Sequence, residues 1–361
     1  MRIRKTYLTS KIKEKYLKIW FDILTPKQIL FFEPMIKKLG KTHKVLCTSR
    51  QYREITHIAK MRKIKLILVG KHGGTEKYSK LKVSLEREVM LSKLIKKYSP
   101  NITISFCSPD AARISYGLGI KHIAFCDSPH AEAVMRLSIP LIDRLLIPWI
   151  IPKREFTKYG ITQNKIISYK AIDASIIVKN KTKTFKKNLK LDKKKTLLIR
   201  SYESEAAYAP KKEHKMISII QKISNEFTNH NVLLLARYSS QIKKLKNKLG
   251  KKIIVLDHVV DNNEIFSLTD VFIGSGGTMT AEAALRGIPT ISYNAIPNIV
   301  ENYLVKKGLV IREVNPNRMV SLIRKLLKTN NELMKKKARS ELKTMEDPYF
   351  KLVKTIENIT Q

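Results

Sequence analysis

From Leu17 onward the chain alternates short apolar runs with longer stretches of helical periodicity. Residues 17–23 form a short apolar strand with Asp22 near its end, and Pro26–Leu39 fits a helix closed by Gly40. Residues 44–47 and 66–69 are buried-type strands with helical periodicity between them. A long helix ends before Pro100, and its apolar face is assigned to Leu81, Leu85, Val89, Leu91, Leu94 and Ile95. Residues 102–106 and 122–125 are further strands, separated by a helix over residues 109–118 and by Gly119. A polar segment with nine lysines follows at residues 179–195, and the alternation then restarts. Strands are expected at 196–199, 232–235, 253–256, 271–273 and 290–292, with helices at 211–227 and 239–249. The tail from Pro316 is helical, with Leu322, Ile323, Leu326 and Leu327 on one face.

Strands and helices alternating at this length predict an α/β fold, a parallel sheet with helices on both faces. The restart after the lysine-rich segment predicts two Rossmann-like, doubly wound domains in tandem, with a cleft between them. The expected division is a basic arm at 1–16, a first domain at 17–178, a linker at 179–195, a second domain at 196–340 and a C-terminal helix at 341–361. Ligands of such sheets bind beyond the C-terminal strand ends.

Composition sharpens this in two respects. The chain's 361 residues exceed what one core usually supports, and 43% apolar residues exclude intrinsic disorder. Cys47, Cys107 and Cys126 are too few and too scattered for a disulfide framework or a clustered zinc site, so a reducing cytosol fits. No run of about 18 uncharged apolar residues is present to span a bilayer, and the basic N-terminus lacks the apolar core of a signal peptide. The expected location is cytoplasmic, with peripheral attachment to the inner membrane face as an option.

Charge changes the picture more. Lys and Arg number 71 against 30 Asp and Glu, a formal net charge of +41, and 54 of the cations are lysines. Such an excess suits nucleic acid or an anionic membrane surface, and it equally suits a lysine-biased surface with no partner. Aromatic residues are only 7% and no nucleic-acid module is visible, so nucleic acid is not the favoured partner. The excess is also uneven. Between Lys252 and Lys306 there is no lysine, and six acidic residues face one cation, Arg286, for a net of −5.

Inside that window lies the most informative segment. Residues 270–273 form a strand that runs into Gly274-Ser275-Gly276-Gly277-Thr278 and then a helix containing Glu282, followed by Gly287-Ile288-Pro289. Glycines admit a ligand close to the backbone, and a helix N-terminus offers unpaired N–H groups and a positive dipole end. The segment is a candidate phosphate cradle, although it is neither a Walker loop nor a complete G-x-G-x-x-G. Glu282 sits about one helical turn past Thr278 and is placed to accept hydrogen bonds from sugar hydroxyls. A tight turn followed by a surface glutamate is the plainer reading of the same residues.

Ser275-Gly276-Gly277-Thr278, Glu282 and Gly287-x-Pro289 resemble the nucleotide-sugar signature of GT-B proteins. The segment is similar to that of the GlcNAc transferase that makes lipid II and to that of the non-hydrolysing UDP-GlcNAc 2-epimerases. The resemblance implies diphosphate contact by the turn and ribose contact by the glutamate. The chain as a whole resembles an uncharacterised GT-B-like family common in archaea. The match rests on residues 18–23 with Pro26, Phe31-Phe32-Glu33-Pro34, Ser108-Pro109, Asp127-Ser128-Pro129-His130-Ala131, Arg200 with Glu205-Ala206 and Tyr208, and Arg237-Tyr238. Where that family usually carries Asn-Pro-Pro-His-x-His, this chain has Thr25-Pro26-Lys27-Gln28-Ile29-Leu30, so both histidines are missing, and Phe106 stands where a histidine is frequent. These departures imply altered chemistry, a different acceptor or loss of activity.

Candidate chemistry gathers at strand ends. Asp127 and His130 pair a carboxylate with an imidazole that titrates near neutrality, suited to general-base work; capping of the Asp-Ser-Pro turn is the alternative. Asp22, closing the first strand, is a third catalytic candidate. Arg200 and Arg237 close strands of the second domain, where arginine pairs with a diphosphate leaving group or with Glu203 or Glu205. Glu205 and His258 join the nucleotide-sugar set through the resemblance, His258 at a segment where GT-B proteins clamp the base. Asn298, Glu301 and Asn302 are sugar-hydroxyl ligands or the polar face of a helix. Residues 137–151 are unusually apolar and are a core strand with a packed loop or a membrane-facing patch.

The leading expectation is a GT-B-type glycosyltransferase using a nucleotide-diphosphate sugar, a UDP-sugar for preference, in cell-surface glycan or glycolipid synthesis. No metal or other cofactor is expected. The expected acceptor is a glycan or a polyprenyl-linked saccharide, with an anionic membrane as a possible docking surface for the basic arm. A sugar-nucleotide 2-epimerase is the second reading, and a non-enzymatic basic binder the third.

Overall fold

The computed structural model describes residues 16–74, 76–180, 189, 191–201, 213–236, 253–256, 260–293 and 297–360. The basic arm, most of the lysine-rich linker, the expected helix at 239–249, and Glu205, Arg237 and His258 lie outside the described residues.

The first domain supplies strands β1 (Lys18–Asp22), β2 (Lys44–Gln51), β3 (Ile67–Lys71), β4 (Ile102–Ser105), β5 (Lys121–Phe125), β6 (Arg144–Pro148) and β7 (Ile166–Tyr169). They form one parallel sheet in the order β3-β2-β1-β4-β5-β6-β7. The second domain supplies β8 (Thr196–Arg200), β9 (Asn231–Leu235), β10 (Ile254–Leu256), β11 (Val271–Gly274), β12 (Thr290–Ser292) and β13 (Ile311–Arg312). Their order, β10-β9-β8-β11-β12-β13, repeats that of the first sheet. Both are doubly wound, and each reverses direction beside its first strand, the place where such sheets open a ligand crevice.

Local chemistry accounts for the elements that frame the cleft. Helix Pro26–Leu39 starts on a Thr25 side chain that caps the Gln28 N–H, with Pro26 in its first turn, and ends at Gly40. It buries Phe31 and Phe32 against Phe21, Phe106 and Phe125, with ring centroids 5.2–6.1 Å apart and mostly edge-to-face. At about 1.5–3 kcal/mol for each fully buried large side chain, this cluster is a main anchor of the first core. Most of residues 137–151 is core: Leu145, Leu146 and Ile147 of β6 are fully buried, whereas Leu137 is exposed at the cleft.

The long helix, Lys77–Tyr98, departs from its expected face. Leu91 and Ile95 are buried together with Arg87, whereas Leu81, Leu85 and Val89 are exposed. The apolar residues of this helix divide between two stripes, and only the one through residues 87, 91 and 95 is buried. The 340 boundary also shifts, because helix Glu332–Lys343 runs through it and packs on helix Thr278–Leu285. The last helix, Pro348–Thr360, returns to the first domain, where Leu352 and Ile356 join that domain's core.

The domains are held face to face. Ala281, Ala284 and Leu285 of the second domain share a core cluster with Ala171, Ile172 and Ala174 of the first. Arg62 of the first domain donates to the Asp261 carboxylate of the second at 2.9 Å, with both residues buried.

Candidate functional site

A cleft of about 1350 Å³ opens between the sheets, lined by the C-terminal strand ends of both domains. On the second-domain wall, β11 runs into the glycine turn, and Gly277 caps helix Thr278–Leu285 without any side-chain hydrogen bond. The helix therefore keeps its first N–H groups for another partner. Gly276 has φ +95°, and a Cβ there would stand 3.0 Å from Glu301 Cδ. Gly277 is different: it is exposed, its φ of −83° suits any residue, and a Cβ on it would meet nothing. Gly274 and Gly276 are needed to build the turn, and Gly277 leaves space in front of it.

Behind the turn, Asn298 accepts from Glu301 N at 2.8 Å and donates to the Gly276 carbonyl at 3.0 Å. Glu301 is buried and pairs with Arg312 at 3.2 Å. Asn298 borders the cleft, whereas Glu301 lies buried behind Gly276 and supports the turn from there. Asn302 likewise accepts from Arg312 at 2.6 Å. Glu282 lines the cleft although it is only 1% exposed. Asn262 donates to both of its oxygens, at 3.1 and 3.0 Å, and Arg286 lies 3.8 Å away. Burial pushes its pKa up to about 7, against the pull of Arg286 and Asn262. Arg200 ends β8, and its guanidinium donates to the Leu235 and Ala236 carbonyls at 3.3 Å, at the cleft edge.

The first-domain wall centres on Lys27. Its ammonium lies 2.5 Å from Asp127 and 2.8 Å from Asp173, and 4.3 Å above the Phe106 ring. Burial opposes ionisation of Asp127, but Lys27 and hydrogen bonds from Asp173 and Ser128 hold its pKa below the usual carboxylate value. Burial and the neighbouring Asp127 raise Asp173 to about 7 despite Lys27, and Tyr169 donates to it at 2.8 Å. The two carboxyls thus divide into one ionised and one protonated member near neutrality. His130 also lines the cleft, and burial lowers its pKa, with Asp127 pulling the other way.

Asp22 does not reach the cleft. It is fully buried, accepting from Arg87 at 2.6 and 3.3 Å and from Thr48 and Ser108 at 2.6 Å. Burial would raise its pKa, yet Arg87 keeps it lowered. Its carboxylate ties the ends of β1 and β2 to the loop after β4. The structure therefore assigns it positioning in place of direct catalysis.

The family model described as "Protein of unknown function (DUF354)" matches residues 17–361. The chain belongs to this family. An uncharacterized protein of Methanocaldococcus jannaschii is 26% identical over 317 residues, 85% of this chain and 91% of that protein. Among solved structures, a UDP-GlcNAc 2-epimerase from Neisseria meningitidis bound to UDP-GlcNAc has a TM-score of 0.72 at 15% identity, covering 95% of this chain and all (100%) of that one. A glycosyltransferase of kitacinnamycin has a TM-score of 0.62 at 14% identity, covering 96% and 100%. At these identities the likeness is one of fold, the fold shared by GT-B glycosyltransferases and sugar-nucleotide epimerases.

Within this DUF354 fold the cleft brings together Asp127, His130, Arg200, Ser275, Gly276, Gly277, Thr278, Glu282 and Asn298. Sequence reasoning missed Lys27, Asp173, Asn262 and Arg87. Arg87 carried one usable signal, a lone arginine within the buried stripe of a helix. Asn262 carried another, because Asp261 caps its helix by accepting from Asn263 N at 2.8 Å, and so fixes where that helix begins.

Proposed function

We propose that the protein transfers a sugar from a UDP-sugar donor to the hydroxyl of a glycan or lipid-linked acceptor, without a metal ion. The observation that carries this reading is the glycine turn: a strand end, a helix N-terminus without a side-chain cap, open space at Gly277 and Glu282 one turn further, all on the cleft. The donor diphosphate would lie against the turn and its ribose hydroxyls against Glu282. His130, neutral because burial lowers its pKa, would take the proton from the acceptor hydroxyl. The acceptor oxygen bonds to the anomeric carbon as the bond from that carbon to the β-phosphate oxygen breaks. The electron pair leaves with the nucleoside diphosphate, where the helix N-terminus and Arg200 meet the growing charge. Asp127, held ionised beside His130, favours the imidazolium that forms.

A second reading, sugar-nucleotide epimerisation, draws on the Asp127–Asp173 pair, which supplies a base and an acid in one place. Calorimetric titration with UDP, UDP-GlcNAc and GDP-sugars tests the shared part, with Gly277→Ala as the control that keeps the fold and fills the diphosphate space. Absence of binding, or binding unchanged in that variant, sinks the site assignment. Release of a C2 epimer from UDP-GlcNAc without acceptor selects the epimerase.

A further inference from the structure

Two arginines of the first domain line the cleft at its β2 side, and they differ in one respect. Arg87 is saturated by Asp22, by Asp110 at 2.5 Å and by the Val69 carbonyl at 3.0 Å. Arg50 has no such partners among the described residues, and its Nε is buried without a hydrogen bond. The register of β2 against β3 slips at Arg50, where Val69 and Gly70 of β3 stand against this one residue of β2. The carboxylates that act on Arg50 are Asp110 and Asp22, both already engaged by Arg87, whose own charge repels it. A largely buried guanidinium without a counter-ion is costly, and an anionic ligand removes that cost. Lys71 and Lys80 line the same wall.

The second observation begins at the rim of this wall. Leu81 borders the cleft, and Tyr78, Leu81, Leu85 and Val89 follow at helical spacing along helix Lys77–Tyr98, 70%, 57%, 54% and 58% exposed. This stripe is distinct from the buried one through residues 87, 91 and 95. Exposed Lys82 edges it and exposed Lys93 and Lys96 continue it, against Glu86 and Glu88 beside it, so its surroundings are net positive on a chain of net charge +41. An apolar stripe with net positive surroundings is complementary to an anionic bilayer.

We infer that the acceptor is a saccharide linked to a lipid phosphate: its phosphate binds Arg50, its sugar carries the accepting hydroxyl, and the protein rests on the membrane through the Tyr78–Val89 stripe and its lysines. The inference depends on the glycosyl-transfer reading only in naming this molecule an acceptor. Flotation tests it with vesicles of phosphatidylcholine alone, with added phosphatidylglycerol, or with a polyisoprenyl phosphate at matched charge. The protein should ignore the first, bind the second and bind the third about tenfold more tightly, as for a charge-assisted hydrogen bond. Leu85→Asp combined with Val89→Asp should abolish binding to both charged populations, while Arg50→Gln should remove only the tenfold preference. UDP titration should be unchanged in every variant; if the wild type binds no UDP, the functional reading fails while flotation still decides this one. Equal affinity for the two anionic vesicles, a preference that survives Arg50→Gln, or flotation that survives the double substitution overturns the inference. Self-association abolished by Leu85→Asp also overturns it, because a second copy would then cover the stripe.

Discussion

Lys27 bridges Asp127 and Asp173, 2.5 and 2.8 Å away, so one ammonium holds two buried carboxyls at the end of the first sheet. The bridge joins the start of helix Pro26–Leu39, the loop after β5 and the start of helix Asp173–Lys179. Lys27→Met removes the cation, and with it the contact of the ammonium with the Phe106 ring, and keeps an unbranched side chain of similar length. It should cost about 3–5 kcal/mol of stability at neutral pH, the range for a buried ion pair that loses one partner. Urea unfolding of the variant measures this. A loss below about 1 kcal/mol, the scale of a surface pair, would show that the bridge is not closed in solution.

Asp173 should make stability fall as pH rises. Its folded pKa of about 7 lies above the ordinary aspartate value of 3.8, so the folded state binds more protons than the unfolded state between those values. The stabilisation is fully present below about 4 and is lost as pH passes through about 7. Asp173→Asn retains an acceptor for the Tyr169 hydroxyl and does not titrate. The stability of the wild type relative to this variant should therefore decline from pH 4 to pH 8. A flat difference across that window would mean that Asp173 is ionised throughout.

Glu282 leads to a prediction about the ligand. Only its ionised form accepts hydrogen bonds on both oxygens, and its pKa is raised to about 7 by burial. UDP affinity should rise as pH increases through 7, and in Glu282→Gln it should be weaker and nearly independent of pH. A loss of about 1.5–3 kcal/mol is expected at pH 8 for a hydrogen bond to a charged group. Calorimetry at pH 6 and pH 8 on both proteins gives the four values needed.

The alternation of apolar runs and helices made both sheets legible, because strands buried on both faces stand out as short continuous apolar stretches. The glycine turn was legible for a similar reason, since its residues are consecutive. What sequence could not show is convergence across distance. Lys27 and Asp173 are 146 positions apart, and Arg62 and Asp261 are 199 apart; only the folded chain makes them pairs. The lysine-free window is clearer in this light. Asp261, Glu264, Glu282 and Glu301 are all buried there, so much of the gap reflects burial, with the ligand wall as one part of it. Leu81, Leu85 and Val89 misled for the opposite reason, because helical periodicity marks an apolar face without saying what covers it.

Arg62 connects the domain interface to Glu282 on the cleft wall. Its guanidinium donates to Asp261 at 2.9 Å and lies 3.9 Å from Glu33, and Asp261 caps the helix whose first residue, Asn262, holds Glu282. The charge of Arg62 lowers the pKa of Glu282, while Asp261 raises it. Arg62→Met therefore has two effects. It strands the buried Asp261 carboxylate, whereas Glu33 keeps Lys37 and Asn180, costing about 3–5 kcal/mol, and it moves Glu282 above its present value near 7. UDP binding should weaken at pH 7 and recover at higher pH, where Glu282 ionises even without Arg62. Adding Asp261→Asn removes the stranded charge and the repulsion it exerts on Glu282, so the double variant should regain part of both losses. Unfolding and UDP titration of the two variants, each followed against pH, measure the coupling. If the single variant's UDP affinity stays low at high pH, Arg62 acts through domain geometry alone and not through the charge of Glu282.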